Sequence, residues 1–386
     1  MLSRVMDLFR RRRPAAGAPA SVESAPEAKV QGAAQSTEPT EASVGDTLRS
    51  HGDGAHDVVT PVLSVVASFV AGRVSDDGAP AAAEPERTPI ATPTVTLAID
   101  ASPDGLTAVL QQRVTMLLAE ILDTDARRLL DSIAAEPTAM IRQLPAAAQR
   151  AIMLTQRAEP PIAELVTVFE EDPTLAQALL TQANSAMNGG GRRVLSMRDA
   201  LQRLGVAAAR NVLMGHTVSA LLCRPGGSYA TMVDDVWQHM VRTAPIARRI
   251  ASAFNAEPEE AFGLGLLHDV GKLVIFDRLT TLRIELRREV AISPADLRRI
   301  LRVLHEPLGG LAVHTWNLGP AAAAAVATHH RDPVPTVRDA LSEVLCVAEA
   351  ADIASVRGED FDLAETWDRA VLGGSAVRVE RALLAA

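Results

Sequence analysis

The sequence predicts an all-α protein, and two observations carry this prediction. Apolar residues recur at three- and four-residue steps, as in Leu106, Leu110, Val114 and Leu117, a spacing that places side chains on one face of a helix. Alanine and leucine dominate the composition and arginine is the usual base, and these residues lose little side-chain freedom in a helix. No segment alternates apolar and polar positions with β-branched residues, so no sheet is predicted.

The first 93 residues divide into a basic start and a linker. The start reads MLSRVMDLFRRRR, with apolar residues ahead of four arginines, the reverse of the order in a secretory signal. Both a solvated basic tail and a short amphipathic helix at an anionic membrane surface fit residues 1–13. Residues 14–93 are rich in Ala, Pro, Glu, Ser and Thr. Such a segment is expected to be a long disordered arm, because it has few large apolar residues to offset its ordering entropy.

One apolar stretch interrupts this arm. Residues 58–74 read VVTPVLSVVASFVAGRV, which is short for a membrane span and is broken by Pro61. A docking segment or a short buried element is therefore predicted there. The cysteines, Cys223 and Cys346, lie in or beside apolar helical sequence and fit buried thiols of a reducing compartment. The predicted location is the cytoplasm, with peripheral contact at the inner membrane surface through residues 1–13 as an option.

The charge balance bears on the choice of partner. The formal net charge is −9 and the sequence pI is about 5.5. A general nucleic-acid-binding surface needs clustered positive charge, so no nucleic-acid partner is expected.

Helical periodicity organises the rest of the chain. Residues 94–142 are predicted as a helical lead-in, residues 143–335 as the main domain, and residues 336–386 as C-terminal helices that complete or flank it. Two helix starts are marked by side chains that suit an N-cap, Asp172 before Pro173 and Ser196. A Gly189–Gly191 turn and a loop at 224–228 separate helices. Further helices are predicted at 236–254, 261–276, 301–316, 320–329 and 337–356.

Histidines concentrate in the second half of the predicted domain. Six of the nine lie between His239 and His330. The adjacent pair His268-Asp269 offers an imidazole and a carboxylate, which suits borderline divalent metals, and helices that each carry one ligand can converge in a bundle core. A lone histidine such as His314 is interpreted instead as an ordinary hydrogen-bonded polar group.

These residues resemble a known family. The segment GLLHDVGK at 265–272 looks like the central motif of the HD superfamily, and His329-His330 resembles its downstream double histidine. The resemblance to the HDOD domain in particular covers about residues 144–332. It rests on Leu144-Pro145, Asp172-Pro173, Ala183-Asn184-Ser185, Leu204-Gly205, Arg210-Asn211, Trp237-Gln238-His239, His305 with Gly309, and Trp316 with Pro320.

The resemblance implies a fold and a metal site. The fold is an HDOD/HD-like multi-helix bundle. In the catalytic relatives, a divalent metal, for which Fe, Mn or Mg is expected, would be held by residues matching His239, His268, Asp269, His305, His329 and His330. Those enzymes add an aspartate from a later helix, for which Glu349 is the nearest match and Asp352 a second candidate. Asp235, one turn before His239, would add a carboxylate. Lys272 would contact phosphate if the site is active.

The resemblance also implies a function. HDOD domains are regarded as regulatory relatives of the hydrolases, so the prediction is a bacterial signal-transduction module. It would be non-catalytic and would bind a protein partner or a small ligand. The alternative is a metal-dependent phosphohydrolase or phosphodiesterase that uses the same site. The Gly-Tyr-Pro element of the cyclic di-GMP phosphodiesterase branch is absent after His330, where residues 331–335 read RDPVP, which argues against that substrate.

Overall fold

The computed structural model describes residues 100–185, 193–223, 228–332, 334–335 and 338–385. Within these ranges all regular structure is helical and no strand occurs, which confirms the all-α prediction. The predicted basic start, disordered arm, apolar stretch at 58–74 and Gly189–Gly191 turn lie outside the described residues, as does most of the loop at 224–228.

The helices follow one another with short connections. In chain order they are α1 (Pro103–Glu120), α2 (Thr124–Ala135), α3 (Ala146–Thr155), α4 (Ile162–Glu170), α5 (Pro173–Ala183), α6 (Met197–Leu204), α7 (Val206–Leu222), α8 (Ala230–Ile250), a 3-10 turn (Ala251–Phe254), α9 (Pro258–Gly265), α10 (Val270–Leu286), α11 (Pro294–Thr315), α12 (Pro320–Ala327), α13 (Ala340–Arg357), α14 (Leu363–Ala370) and α15 (Ala376–Leu384). None of these helices is long and apolar enough to cross a lipid bilayer.

The two predicted N-caps are confirmed. The Asp172 carboxylate accepts hydrogen bonds from the amides of Thr174 and Leu175, at 2.9 and 3.3 Å, at the start of α5. The Ser196 hydroxyl accepts from the amide of Asp199, at 3.1 Å, at the start of α6. Each side chain satisfies amides that have no partner inside the first helical turn.

The single helix predicted over residues 261–276 is wrong. Helix α9 ends at Gly265 and α10 begins at Val270, so His268 and Asp269 lie in the turn between two helices. The apolar period continues through this turn because Leu264, Leu267 and Val270 are all buried. The turn is tightened by bonds of three-residue span, from Leu267 N to Leu264 O and from Val270 N to Leu267 O.

Other helix boundaries also differ from the prediction. Helix α11 begins at Pro294, seven positions before the expected start, because the Ser293 hydroxyl caps it by accepting from the Asp296 amide. Helix α8 begins at Ala230 rather than Val236 and its last predicted turn is of 3-10 type. Propensity and period locate a helix well, but the caps decide where it begins.

Buried apolar side chains form two clusters. The first cluster runs from α1 through α7 and includes most of α10 and α11, and the second joins the end of α8 with α9 and α12–α15. Helices α8 and α11 contribute to both. The predicted site residues lie on the segments that border the two clusters, so the candidate site is at this boundary.

Candidate metal centre

Seven of the eight predicted ligands converge from separate parts of the chain. They are supplied by the middle of α8, the turn between α9 and α10, the middle of α11, the end of α12 and the middle of α13. Their ligand atoms fall into two groups, each with all atoms within 4.8 Å of one another: His239, His268, Asp269 and Glu349 in one, and His305, His329 and His330 in the other.

The four-residue group is tightly packed. The Nε2 atoms of His239 and His268 lie 3.1 Å apart. They are 3.7 and 3.6 Å, respectively, from Oδ2 of Asp269. His268 and Asp269 are fully buried, and the His239 side chain is 14% exposed. Four donor atoms from three segments therefore face a common point.

The three histidines of the other group are equally close. The Nε2 atoms of His305 and His330 lie 2.9 Å apart. Glu349 Oε2 is 3.1 Å from Nδ1 of His330 and 4.0 Å from Nε2 of His329. Glu349 thus occupies the position for which the family pattern expects an aspartate on a later helix, and it contacts residues of both groups.

Asp269 connects the two groups. Its Oδ2 faces His239 and His268, whereas its Oδ1 lies 3.5 Å from Nε2 of His305 and 3.9 Å from Nε2 of His329. One carboxylate oxygen thus faces each group, so Asp269 could supply a ligand atom to either group.

Backbone carbonyls fix the tautomers of three imidazoles. The Nδ1–H groups of His268, His305 and His329 donate to the carbonyl oxygens of Gly265, Leu301 and Val326, at 2.9, 2.8 and 2.7 Å. Because a carbonyl only accepts, Nδ1 carries the proton and Nε2 presents its lone pair to the cluster. Metal-binding histidines are typically oriented in this way.

The donor set fits a metal ion. Asp269 Oδ1 and His329 Nε2 are buried without a hydrogen-bond partner among the described residues, and an ion beside such atoms is one reason for them to persist. The close Nε2 pairs, His239 with His268 and His305 with His330, must each share a proton or a metal ion. Two imidazole nitrogens this close could serve as neighbouring ligands of one ion.

The protonation states support the same conclusion. Burial lowers the pKa of His268 and His329, and it lowers that of His305 to about 3. Burial alone raises the pKa of Asp269, but Lys272 and the surrounding imidazoles outweigh it and hold the pKa well below the usual range. At neutral pH His268, His305 and His329 therefore offer unprotonated nitrogens beside the ionised carboxylate of Asp269.

Glu349 and His330 form an ion pair when His330 is protonated. Burial by itself raises the pKa of Glu349 and lowers that of His330, but their mutual attraction reverses both shifts. The protonated His330 can then donate from Nε2 to His305. A bound cation would replace this proton, so metal uptake at this group releases a proton.

The two remaining predicted site residues take different positions. Lys272 Nζ lies 2.6 Å from Asp269 Oδ2, and its side chain is 20% exposed at the rim of the cluster. Asp235 is exposed on α8 and belongs to neither group. The structure thus places Lys272 beside the candidate metal centre and leaves Asp235 outside it.

Asp352 has a role that the sequence did not reveal. Its carboxylate accepts from Nδ1–H of His239 at 2.7 Å, and from the Arg242 guanidinium at 2.8 and 3.1 Å. It therefore orients a ligand, and Arg242 in turn fixes Asp352 with two hydrogen bonds. The signal available in the sequence was weak: Arg242 follows His239 by three residues and so shares its helix face.

We expect Asp352→Asn to weaken divalent-metal binding by about 10- to 100-fold, the usual cost of losing an outer partner of a metal-binding histidine. The asparagine keeps the size of the side chain but removes the charge that orients His239. Isothermal titration with Mn²⁺ measures the change. Asp277→Asn is the matched control, because Asp277 also pairs with an arginine, Arg142, at 2.7 Å and its side chain is as well buried. Equal affinities for wild type and Asp352→Asn would contradict the assignment.

Comparisons with known proteins agree with this geometry. A family model described as HDOD domain matches residues 141–332. An uncharacterized protein of Treponema pallidum (strain Nichols) is 26% identical over 234 residues, which cover 58% of this chain and 42% of that protein. The chain therefore spans less than half the length of that relative.

Solved structures share the fold. A protein of Shewanella amazonensis SB2B provisionally named a phosphohydrolase superposes with a TM-score of 0.51 at 19% identity, covering 65% of this chain and 92% of that one. A protein of Marinobacter aquaeolei VT8 provisionally named a signal transduction protein has a TM-score of 0.50 at 21% identity, covering 75% and 66%. The family match, the all-helical fold and the converging histidines lead to one conclusion: this chain is an HDOD domain protein, with the domain at residues 141–332.

Proposed function

We propose that the chain is a bacterial signal-transduction module of HDOD type that holds divalent cations in the buried centre and regulates by binding a protein partner or a small ligand, without turnover. The observation that carries the proposal is the burial of four ligands. His268, Asp269, His305 and His329 have no exposed side-chain surface, whereas the His239 and His330 side chains are 14% and 33% exposed. A phosphoester would have to reach the four enclosed ligands past the partly exposed rings.

Lys272 supports the same proposal. A hydrolase of this type would use this ammonium group to neutralise phosphate. Here Asp269 accepts from it at 2.6 Å, and although burial alone lowers the pKa of Lys272, the carboxylates of Asp269 and Glu349 raise it. The positive charge is therefore already compensated inside the protein, and a phosphate would have to compete with Asp269 for it.

The kind of metal follows from the donor atoms. Five imidazoles and two carboxylates make a nitrogen-rich set. Mg²⁺ prefers oxygen ligands and retains its water, and Mn²⁺ also suits carboxylates, whereas imidazole suits Fe²⁺. Of the three candidates expected from the sequence, Fe²⁺ therefore fits best.

The alternative is a metal-dependent phosphohydrolase, and one observation favours it. The ligand set is complete, with Glu349 close to both groups of histidines. A bound divalent cation would supply Lewis acidity that polarises a phosphoryl oxygen. Lys272, which is partly exposed at the rim, would then leave Asp269 to bind the phosphate.

Metal content and turnover decide between the two functions. We expect the purified 386-residue chain to contain tightly bound Fe by elemental analysis, and to hydrolyse neither nucleotides nor cyclic dinucleotides in the presence of Fe²⁺, Mn²⁺ or Mg²⁺. His268→Ala should lose the metal. His216→Ala is the matched control, since its imidazole hydrogen-bonds to the Thr174 hydroxyl and lies outside both groups. Metal-dependent turnover that His268→Ala abolishes and His216→Ala retains would establish the alternative.

A further inference from the structure

Helix α1 docks along one face of α11 in the antiparallel direction. At its start, the Ala101 carbonyl accepts from Nε2 of His314 at 2.6 Å. Further along, Leu106 packs so closely on Gly310 that a Cβ there would lie 2.9 Å from its Cδ1. Near the middle of α1, Arg113 donates to the Val303 carbonyl at 2.8 Å. The α11 residues in these contacts recur at seven and four positions, which places them on one helix face.

Arg113 also reaches a buried carboxylate beside the candidate metal centre. Its Nη1 lies 3.5 Å from Oε2 of Glu306, whose side chain is 7% exposed. Glu306 directly follows the ligand His305 in sequence. A buried carboxylate is costly to desolvate, and the Arg113 guanidinium offsets part of that cost.

The other oxygen of Glu306 holds the turn that carries two further ligands. Its Oε1 accepts a hydrogen bond from the backbone amide of His330 at 3.2 Å and lies 4.0 Å from Nδ1 of His329. Glu306 therefore connects α11 to the double histidine at the end of α12. If Arg113 withdrew, Glu306 would lose its paired cation and turn towards solvent, and the His330 amide would lose its charged acceptor.

We propose that Arg113 and Glu306 are positioning residues for the metal centre, through which the docking of α1 sets the metal affinity of the His305, His329 and His330 group. The inference rests on the metal-binding part of the proposed function and adds how that site is regulated. Helix α1 lies outside the matched HDOD residues 141–332 and directly follows the N-terminal 99 residues. A partner that displaces α1 would thereby weaken metal binding, although α1 supplies none of the seven ligands.

The test is a double-mutant cycle in the full chain. Arg113→Met keeps the length of the side chain without the charge, and Glu306→Gln keeps the shape without the pairing. Each is expected to weaken Mn²⁺ binding by about 10- to 100-fold. The double variant should lose no more than the worse single variant, because both changes break one connection. Arg127→Met is the matched control, since the Arg127 guanidinium donates only to the Leu118 and Ile121 carbonyls among the described residues.

A second readout needs no metal. In the metal-stripped protein, hydrogen exchange at the His330 amide should be at least about 10-fold faster in Arg113→Met than in wild type, whereas Arg127→Met should leave it unchanged. If Arg113→Met fails to fold, Glu306→Gln takes its place in this measurement, and the same acceleration of exchange at the His330 amide is expected.

The outcomes separate the two proposals. Wild-type protein that binds no Mn²⁺ overturns metal binding, and with it the effect on affinity. Wild-type protein that binds Mn²⁺ while both single variants match it in affinity and exchange overturns only the inference about α1. Equal losses in Arg113→Met and Arg127→Met would also overturn that inference, because they would show general loosening of the lead-in helices.

Discussion

Gly271→Ala is expected to lower the free energy of unfolding by about 3 kcal/mol, the upper part of the usual range for overpacked cores. Gly271 lies on α10, two residues after Asp269, and faces the backbone of α11. A Cβ at this position would lie 2.7 Å from the carbonyl carbon of His305 and 2.8 Å from the amide nitrogen of Gly309. Backbone atoms cannot rotate away as a side chain can, so the two helices would have to separate.

Urea unfolding measures this loss, and Gly215→Ala is its control. Gly215 is also a buried helical glycine, but a Cβ there would meet only Cδ1 of Leu266 at an ordinary 3.5 Å. We expect that variant to gain about 0.4–1 kcal/mol, because alanine reduces the entropy of the unfolded chain. Separation of α10 from α11 would also move Asp269 away from His305, so Gly271→Ala should bind Mn²⁺ more weakly. A Gly271→Ala variant as stable as wild type would contradict the packing described for these helices.

Saturation with metal is expected to stabilise the folded protein by about 4 kcal/mol when free metal is 1,000-fold above its dissociation constant. The ligands are drawn from five segments between His239 and Glu349, so the site does not exist in the unfolded chain and binding free energy becomes folding free energy. Differential scanning calorimetry with and without Mn²⁺ should show the midpoint temperature rising on the order of 10 °C.

Asp269→Asn provides the contrast for this experiment. The amide retains the shape of the side chain, but it removes the charge that faces both groups of histidines. We expect its midpoint temperature to change little when Mn²⁺ is added, whatever the stability of its metal-free form. An increase in Asp269→Asn as large as that in wild type would mean that the stabilising ion binds elsewhere.

The sequence alone predicted the fold class and most of the site composition. Helical period and N-cap chemistry are local, so Asp172 and Ser196 could be recognised as helix starts from their neighbours. The order of the histidines resembled a known family closely enough to name six ligands that the structure brings together. That information came from the resemblance, because no period in the sequence brings His239 near Glu349.

The relations between distant residues could not be predicted. Apolar spacing runs unbroken through residues 264–270, so the end of the helix is visible only in the hydrogen bonds of the folded turn, such as that from Nδ1 of His268 to the Gly265 carbonyl. The family pattern offers Asp352 as a ligand, yet Asp352 lies behind His239 and orients its ring through a hydrogen bond. Glu306 could not be singled out from the sequence, because a glutamate beside a histidine is common and its partner Arg113 lies 193 positions earlier in the chain.

The boundary between the two apolar clusters has a thermodynamic consequence. Its ligands come from both sides: His305 is flanked by Leu304 and Leu308 of the first cluster, and Glu349 by Val347 and Ala348 of the second. An ion bound there would contact ligands from both clusters and so stabilise their packing against each other. By reciprocity, an effector that binds better when the clusters separate would lower the affinity for the ion, and the ion would lower the affinity for that effector by the same factor. The cellular supply of one metal would then set how readily the protein answers its signal.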